Sequence, residues 1–505
     1  MKRIHISLLL LALAGLLVTC RDLLDVAPND RIDLDSFYTS PSDAEAALIG
    51  AYNYTFRSDL LSNIIFYSNR SSDDLTAPLE GRQSDPLMFR PALNSGSGEP
   101  AGLWRASYEA LATINLLLER APAINENLFN NANPGSGTIQ VNRKAALLGE
   151  AHFLRAFIYY HLVQFFGDVP LIIEFPKSSR PEDNRVPRTP QAQVMQQVMN
   201  DLDFATENLP WNHNNLGVLD ADQLIQSKGR ATKGAALLLR ARIHQQNREW
   251  QKAIDLCREI MNSGQFRLVE RWVTIFDAGN GSQNTSESIL ETQTRTGPGE
   301  FNNTGGYAWF HQDGRPRRGA TLEAYNLFEG TAAEPRDVRK VFSMSQRTDN
   351  PDQIYAVKYA NSFPWWAPED PFNFVPMRLT ECYLIIAEAL NELGFPNDEA
   401  MAYINLIRER SKDLNFTTGP IPGVEPFSFA DIRSQAEFRQ KIREERRREL
   451  MFEGHRFFDL MRYDAMDNGD RTMKALGLTS PDKLMFPIPE SELVNNPLLT
   501  QNPGY

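Results

Sequence analysis

Residues 444–462, EERRRELMFEGHRFFDLMR, carry the densest array of ionisable groups in the chain. At helical spacing Glu445, Glu449 and Glu453 stack in one column on one face. Three kinds of chemistry suit such a column. Paired carboxylates serve glycoside hydrolysis when they face a shared cleft about 5–9.5 Å apart. Glu449, Glu453 and His455 could ligate a metal, but no HExxH or comparable spacing accompanies them. The third use is an ion network with arginines of this helix and its neighbours (Arg446, Arg447, Arg448, Arg456 and Arg462 lie in and around the run), while Phe457, Phe458 and Leu460 enter a core. Every i, i+4 pair has the glycosidase spacing, so the network is the expectation here. DAMDNGD at 464–470 is acidic like a calcium loop, yet Met466 stands where an oxygen ligand is needed, so a turn is expected. No GxSxG, Walker A or paired CxxC motif occurs. Neither catalysis nor a cofactor nor a metal is expected.

Capture of a sugar needs other residues: Trp or Tyr under the apolar face of the ring, and Asn, Asp, Arg or Gln for its hydroxyls. A stacked ring burying about 50–100 Å² gains roughly 1–2 kcal/mol before binding costs, so several platforms are needed. Seven tryptophans are available. Trp104, Trp250 and Trp272 sit in helix-like contexts and are expected in the core, and Trp211, after a helix end, is left open. Tyr307 and Trp309 in NNTGGYAWFHQDGRPRRG and Trp365–Trp366 in FPWWAPED lie in irregular, Gly- or Pro-flanked stretches. They are the expected ligand platforms, with Asp313 and Arg315 as polar partners. Asn69, Arg70, Asp73 and Asp74 in SNRSSDDLTAPLEGRQSDP form a second candidate rim.

These side chains need a scaffold, and the periodicity says it is helical. GEAHFLRAFIYYHLVQFFGDVPLI is apolar around most of its circumference, as an enclosed helix would be, and Gly167 stops it. TPQAQVMQQVMNDLDFATENLP offers Thr189 as N-cap and Pro190 at the first helical position. Two segments approach a tetratricopeptide pattern, with Ala241, Trp250 and Ala253 in one and Ala387, Ala389 and Ala400 in the other. Weaker pairs start near residues 43 and 141. Segments 63–100, 265–375 and 413–432 interrupt the helical pattern, with ESILETQT and QIYAVKYA as short strand candidates. Loops this long are where a binding surface is expected.

The N-terminus, MKRIHISLLLLALAGLLVTC, has a cationic start and an apolar run too short to span a bilayer comfortably, which is the pattern of an export signal. LVTC ends it like a bacterial lipobox, so residues 1–19 are expected to be removed and Cys20 diacylated, holding the protein on a membrane. Cys257 and Cys382 then remain, both within helical patterns, so core size and not disulfides must hold the fold. A formal charge of −12 argues against a nucleic-acid partner.

Several blocks together resemble the SusD/RagB family of outer-membrane nutrient-binding lipoproteins. They are the lipobox followed by RDLLDVAPND, then HFLRAFIYYHLVQFFGDVPLI, ATKGAALLLRARIHQQNREWQKAIDLCREIM, MRLTECYLIIAEALNELG, RRRELMFEGHRFFDLMRY and FPIPESELVNNPLLTQNPGY. The resemblance runs through essentially the whole chain in order. It implies a mostly α-helical scaffold of tetratricopeptide-like hairpins with long irregular loops and a few short strands. An N-terminal helical region at 20–262 and a C-terminal region at 263–505 would form one compact unit. It also implies a cell-surface outer-membrane lipoprotein that binds a glycan or oligopeptide and hands it to a SusC-like TonB-dependent transporter. Glycan-binding relatives often place aromatics in the early loop, whereas residues 68–100 hold only Phe89, which argues against a starch-like ligand. A lipid-anchored glycoside hydrolase and a helical adaptor for other envelope proteins are the competing readings.

Overall fold

Small residues let helices approach closely, and their distribution sets the architecture. A computed structural model describes residues 37–76, 90–131, 142–176, 178, 180–213, 229–276, 284–293, 311–312, 315–316, 319–331, 333–359 and 373–505. The principal helices are α1 (Pro41–Phe56), α2 (Asn63–Arg70), α3 (Gly98–Arg120), α4 (Arg143–Phe166), α5 (Gln191–Asn208), α6 (Lys233–Gln246) and α7 (Trp250–Asn262). After a long interruption come α8 (Thr380–Leu393), α9 (Asp398–Glu409), α10 (Gln435–Glu449) and α11 (Arg456–Asp467).

From α3 to α9 each of these helices packs on the next, and α1 packs on α3 and α4. The array crosses the interruption without a break, because α7 packs directly on α8. Ala241, Ala253, Ala387, Ala389 and Ala400 are all fully buried at these contacts, as is Cys257, which meets Cys382. The hairpins are thus contiguous in space although the sequence separates them. Trp104 and Trp272 are core residues and Trp250 packs partly buried against the core. The C-terminal block closes onto α4: the Phe486 ring lies tilted against Phe165 at 5.0 Å and edge-on to Phe166 at 5.6 Å, and its amide donates to the Phe165 carbonyl at 2.7 Å.

Three details differ from the sequence reading. Residues 63–70 form a helix, and all eight are buried. A segment enclosed on every side need show no amphipathic period. Helix α5 begins at Gln191, not Pro190, and its first N–H donates to the Asp168 carboxylate at 2.7 Å, while Thr189 bridges Val169. Helix α10 ends at Glu449, so Glu453 does not continue its column. The chain turns through Phe452 at φ 64° and Gly454 at φ 87°. A Cβ on Gly454 would lie 3.1 Å from the Ile65 backbone of α2, so the tight turn and the close approach both require glycine.

The strands are short: β1 (Leu75–Thr76), β2 (Ser288–Leu290), β3 (His311–Gln312), β4 (Arg315–Pro316), β5 (Gly319–Ala320), β6 (Met344–Gln346), β7 (Ile354–Ala356) and β8 (Met377–Arg378). They make one four-stranded sheet in the order β1-β5-β7-β6 and two antiparallel pairs, β2-β8 and β3-β4. The two strand candidates read from the sequence are β2 and β7.

Candidate functional site

The register of these strands decides where the interrupting segments emerge. Strand β5 runs antiparallel to both neighbours, with Thr76 opposite Gly319 and Gly319 opposite Tyr355. The C-terminal end of β1, the N-terminal end of β5 and the C-terminal end of β7 therefore lie at one end of the sheet. Residues 77–89 leave there from β1, the segment ending at residue 318 arrives there, and residues 360–372 leave there just past β7. The β2-β8 pair adds a second tie. The Thr292 amide donates to the Phe374 carbonyl, and the Phe374 amide to Thr292 Oγ1, both at 2.8 Å. Asn373 Nδ2 donates to Glu291 Oε1 at 2.9 Å. The stems of 294–310 and 360–372 are thereby bonded side by side.

Tyr307, Trp309, Asp313, Trp365 and Trp366 belong to these segments and lie outside the described residues, as does Cys20. The backbone of Arg315 lies in β4, opposite Gln312. What the structure shows is the packing around their stems. Tyr359 packs edge-on against Phe374 at 5.2 Å and against Phe276 at 5.7 Å. Lys358 lies over the Phe276 ring at 4.3 Å and the Trp272 ring at 4.8 Å, and its Nζ donates to Glu453 Oε1 at 2.5 Å. Burial pushes the Lys358 ammonium down to about 8, an effect that Glu453 partly offsets.

The second candidate rim is interior. Asn69 is fully buried; its Nδ2 donates to the Phe452 carbonyl at 2.8 Å, and its Oδ1 accepts from the Gly454 amide at 3.1 Å. Arg70 is buried with its guanidinium 4.7 Å over Phe66. Asp73 receives Arg456 through two bonds of 2.7 and 2.8 Å, and Asp74, fully buried, accepts from Arg447 Nε at 2.7 Å. The carbonyls of Asp73 and Asp74 accept from Thr321 at 2.8 and 2.9 Å. Asn69, Arg70 and Asp74 are buried and Asp73 is committed to Arg456, so the four are internal ties, of which Asp73 and Asp74 join the β1 and β5 stems, rather than the expected ligand rim. Arg447→Met leaves Asp74 buried without its cation and is expected to lower stability by about 3 kcal/mol. A thermal melt checks this, and an unchanged midpoint would contradict the assignment.

The glutamate column is a buried ion network. Arg339 contacts Glu445 at 2.7 Å and Glu449 at 3.0 Å. Arg378 reaches Glu449 and Glu453, each at 2.7 Å, and Glu287 at 2.9 Å. Arg408 pairs with Glu445 at 3.0 Å, Arg410 approaches Glu449 at 3.8 Å, and Trp272 Nε1 donates to Glu449 at 3.1 Å. Burial opposes ionisation of Glu449, yet Arg378, Arg410 and Arg339 outweigh it and hold the carboxyl well below the usual range. Each carboxylate is enclosed and already engaged with cations. Among the described residues no group of three or more His, Cys, Asp or Glu is arranged to hold a metal.

Beside the network a cavity of about 60 Å³ is lined by Tyr160, His161, Arg242, Arg446, His455 and Asp459 among others. Burial drives His161 down to about 3 and, against the pull of Glu381, His455 to about 4. Burial resists ionisation of Glu381 and Asp459, but Arg242 for the first and Arg446 with Arg462 for the second hold both near about 2. As pH falls below the ordinary imidazole value of about 6.5, the unfolded chain takes up protons before the folded one, so stability is lost through this range. The two carboxyls extend the loss from about 4 down to about 2. The melting temperature is expected to decline below pH 6.5 and more steeply below pH 4.5, and a flat profile between pH 7 and 4 would contradict this.

Comparisons with known proteins agree with this architecture. A family model described as "SusD family" matches residues 369–505, and one described as "Starch-binding associating with outer membrane" matches residues 89–244. The chain is 26% identical to SusD-like protein P2 of Formosa agariphila over the full length of both, and 24% identical to a SusD-like protein of Bacteroides ovatus over 80% of this chain and 76% of the relative. A SusD superfamily protein from Bacteroides thetaiotaomicron superposes with a TM-score of 0.71 at 20% identity, covering 92% of this chain and 98% of the other. A laminarin-binding SusD-like protein superposes with a TM-score of 0.66 at 22% identity, covering 93% and 100%.

Proposed function

The chain belongs to the SusD/RagB family, and from that premise we propose a carbohydrate-binding outer-membrane protein that captures a glycan at the loop-bearing end of its sheet. The observation that carries this reading is the strand register. It brings the stems of 77–89, 294–318 and 360–372 to one end, and those segments hold Tyr307, Trp309, Asp313, Arg315, Trp365 and Trp366. Aromatic platforms with amide and charged neighbours suit sugar rings better than a flat protein contact does. The engagement of Glu445, Glu449 and Glu453 in internal ion pairs supports capture without cleavage.

Delivery completes the proposal. The captured glycan passes to a SusC-like TonB-dependent transporter, and diacylated Cys20 holds the protein on the exterior face of the outer membrane. No helix among the described residues is long and apolar enough to cross a membrane, so attachment in this reading rests on the acyl chains. Cys20→Ser is expected to move the protein from the membrane fraction to the soluble fraction and to abolish fatty-acid labelling. Persistent membrane attachment would contradict the anchor.

The test of capture is retardation of the unacylated protein in native gels cast with a panel of polysaccharides. Laminarin belongs in the panel because one structural neighbour binds it. A reducing-sugar assay runs beside it. Retardation without sugar release supports the proposal, whereas sugar release points to a glycoside hydrolase. Absence of retardation, with a barrel protein co-purifying, points to oligopeptide cargo or a purely structural role.

A further inference from the structure

Three cysteines occur in the chain, and export changes what two of them can do. With Cys20 acylated, Cys257 and Cys382 are the only thiols left, so each has a single partner available within the chain. Taken one at a time, both sit in helices as a small apolar residue would. The fold sets them together. Cys257 lies on α7 and Cys382 in the first turn of α8, and these are the two helices that join the array across the interruption.

Both side chains are fully buried, and the Cys382 thiol meets that of Cys257 where the helices pack. The buried residues of α7 are Ala253, Ile254, Cys257 and Ile260, so Cys257 is central in the stripe that this helix turns inward. On α8, Ile385, Ile386 and Ala389 follow Cys382 at spacings of three, four and seven and are fully buried with it. Alanine one turn before Cys257 and two turns after Cys382 keeps the contact shallow. A disulfide needs such closeness, because it spans only about 4.4–6.8 Å between Cα atoms. As thiols the two have no chemical use in place. Burial, with Cys257 adding to it, pushes the Cys382 thiol well above its ordinary range, which suits neither a nucleophile nor a metal ligand.

We propose that Cys257 and Cys382 form a disulfide in the exported protein, joining the N-terminal helices to the C-terminal ones. The bond closes a loop of about 125 residues that contains β2 to β8, and with them the segments 294–318 and 360–372. It forms by exchange with an envelope protein that carries a reactive disulfide, before α7 and α8 close over the sulfurs. One cysteine, as thiolate, attacks that disulfide and displaces one donor sulfur, leaving a mixed disulfide. The second cysteine, as thiolate, attacks the sulfur of the first and displaces the other donor sulfur. Two electrons pass from the cysteines to the donor, whose two sulfurs take up the two protons that the cysteines released. The inference rests on the export part of the proposed function and not on glycan capture.

The full chain, isolated from the cell envelope without reductant, is unfolded in guanidinium chloride with N-ethylmaleimide present. Neither Cys257 nor Cys382 is expected to be labelled, and digestion should yield one linked peptide about 2 Da lighter than its two reduced halves. Reduction in the unfolded state followed by refolding in dithiothreitol is expected to lower the melting temperature by roughly 5 °C. The Cys257→Ala/Cys382→Ala variant should melt at one temperature under both treatments. Labelling of both cysteines in envelope protein, or an equal shift in the double variant, overturns the proposal. Refolding of the reduced protein in a glutathione redox buffer tests the geometry apart from export. The 257–382 link is expected there too, and thiols or glutathione adducts at both positions overturn the proposal. Cell fractionation reports on export itself, so a chain retained in the cytoplasm contradicts the proposed function while the refolding result still decides the disulfide.

Discussion

Glu449→Ala is expected to lower stability by about 3–5 kcal/mol, the range measured when one member of a buried ion pair is removed. The size follows from what the carboxylate holds. Arg378 at 2.7 Å, Arg339 at 3.0 Å, Trp272 Nε1 at 3.1 Å and Arg410 at 3.8 Å converge on it, and the carboxylate and both closer arginines are almost fully enclosed. Deleting the carboxylate strands guanidinium groups in a low-dielectric interior, where they keep their charge. Glu449→Gln keeps the shape but not the charge and is expected to fall between wild type and alanine. Both variants should bind the same glycans as wild type at temperatures where they remain folded. Thermal and denaturant melts measure the first effect and gel retardation the second. A loss under 1 kcal/mol would mean that the network is a weak surface cluster, and an altered glycan preference would mean that the column faces ligand.

The helical scaffold was legible because helices write a long period into sequence. The enclosed helix α4 and the hairpins α6–α7 and α8–α9 stand where their apolar residues and alanines indicated. The sheet was largely illegible for the opposite reason. Strands of two or three residues carry no period, and β1 finds its partner β5 far along the chain. The misread rim shows the same limit at single residues. Asp73 and Asp74, beside serines and an arginine, look like a solvated stretch. Nothing nearby announces that Arg447, 373 residues away from Asp74, fills the space above it. The glutamate column was assigned correctly as an ion network, yet the end of α10 at Glu449 was hidden. A left-handed Phe452 is a conformation that bulky side chains rarely adopt and sequence does not advertise. The aromatic-rich segments could be named from sequence, whereas the meeting of the described stems that flank them at one end of the sheet needed the strand register.

The proposed glycan site predicts the second large effect. Each sugar ring stacked on an indole gains about 1–2 kcal/mol from apolar burial, and 1.4 kcal/mol is tenfold in affinity. Trp309→Ala or Trp366→Ala alone should weaken glycan binding by roughly 5- to 30-fold. Replacing Trp309, Trp365 and Trp366 together should weaken it by about 100-fold or more, with some departure from additivity where neighbours share one ring. The core of the described residues contains none of these three side chains, so the helical circular dichroism and the melting temperature should stay close to wild type.

The most direct test of glycan capture at the loop-bearing end of the sheet is isothermal titration of the unacylated protein and its Trp309→Ala/Trp365→Ala/Trp366→Ala variant. The ligand is an oligosaccharide of whichever polysaccharide retards the wild type in gels. The account predicts saturable binding by the wild type and a loss of about 100-fold or more in the variant at unchanged helicity. Equal affinity in the two proteins, or no heat with any oligosaccharide of the panel, would contradict it.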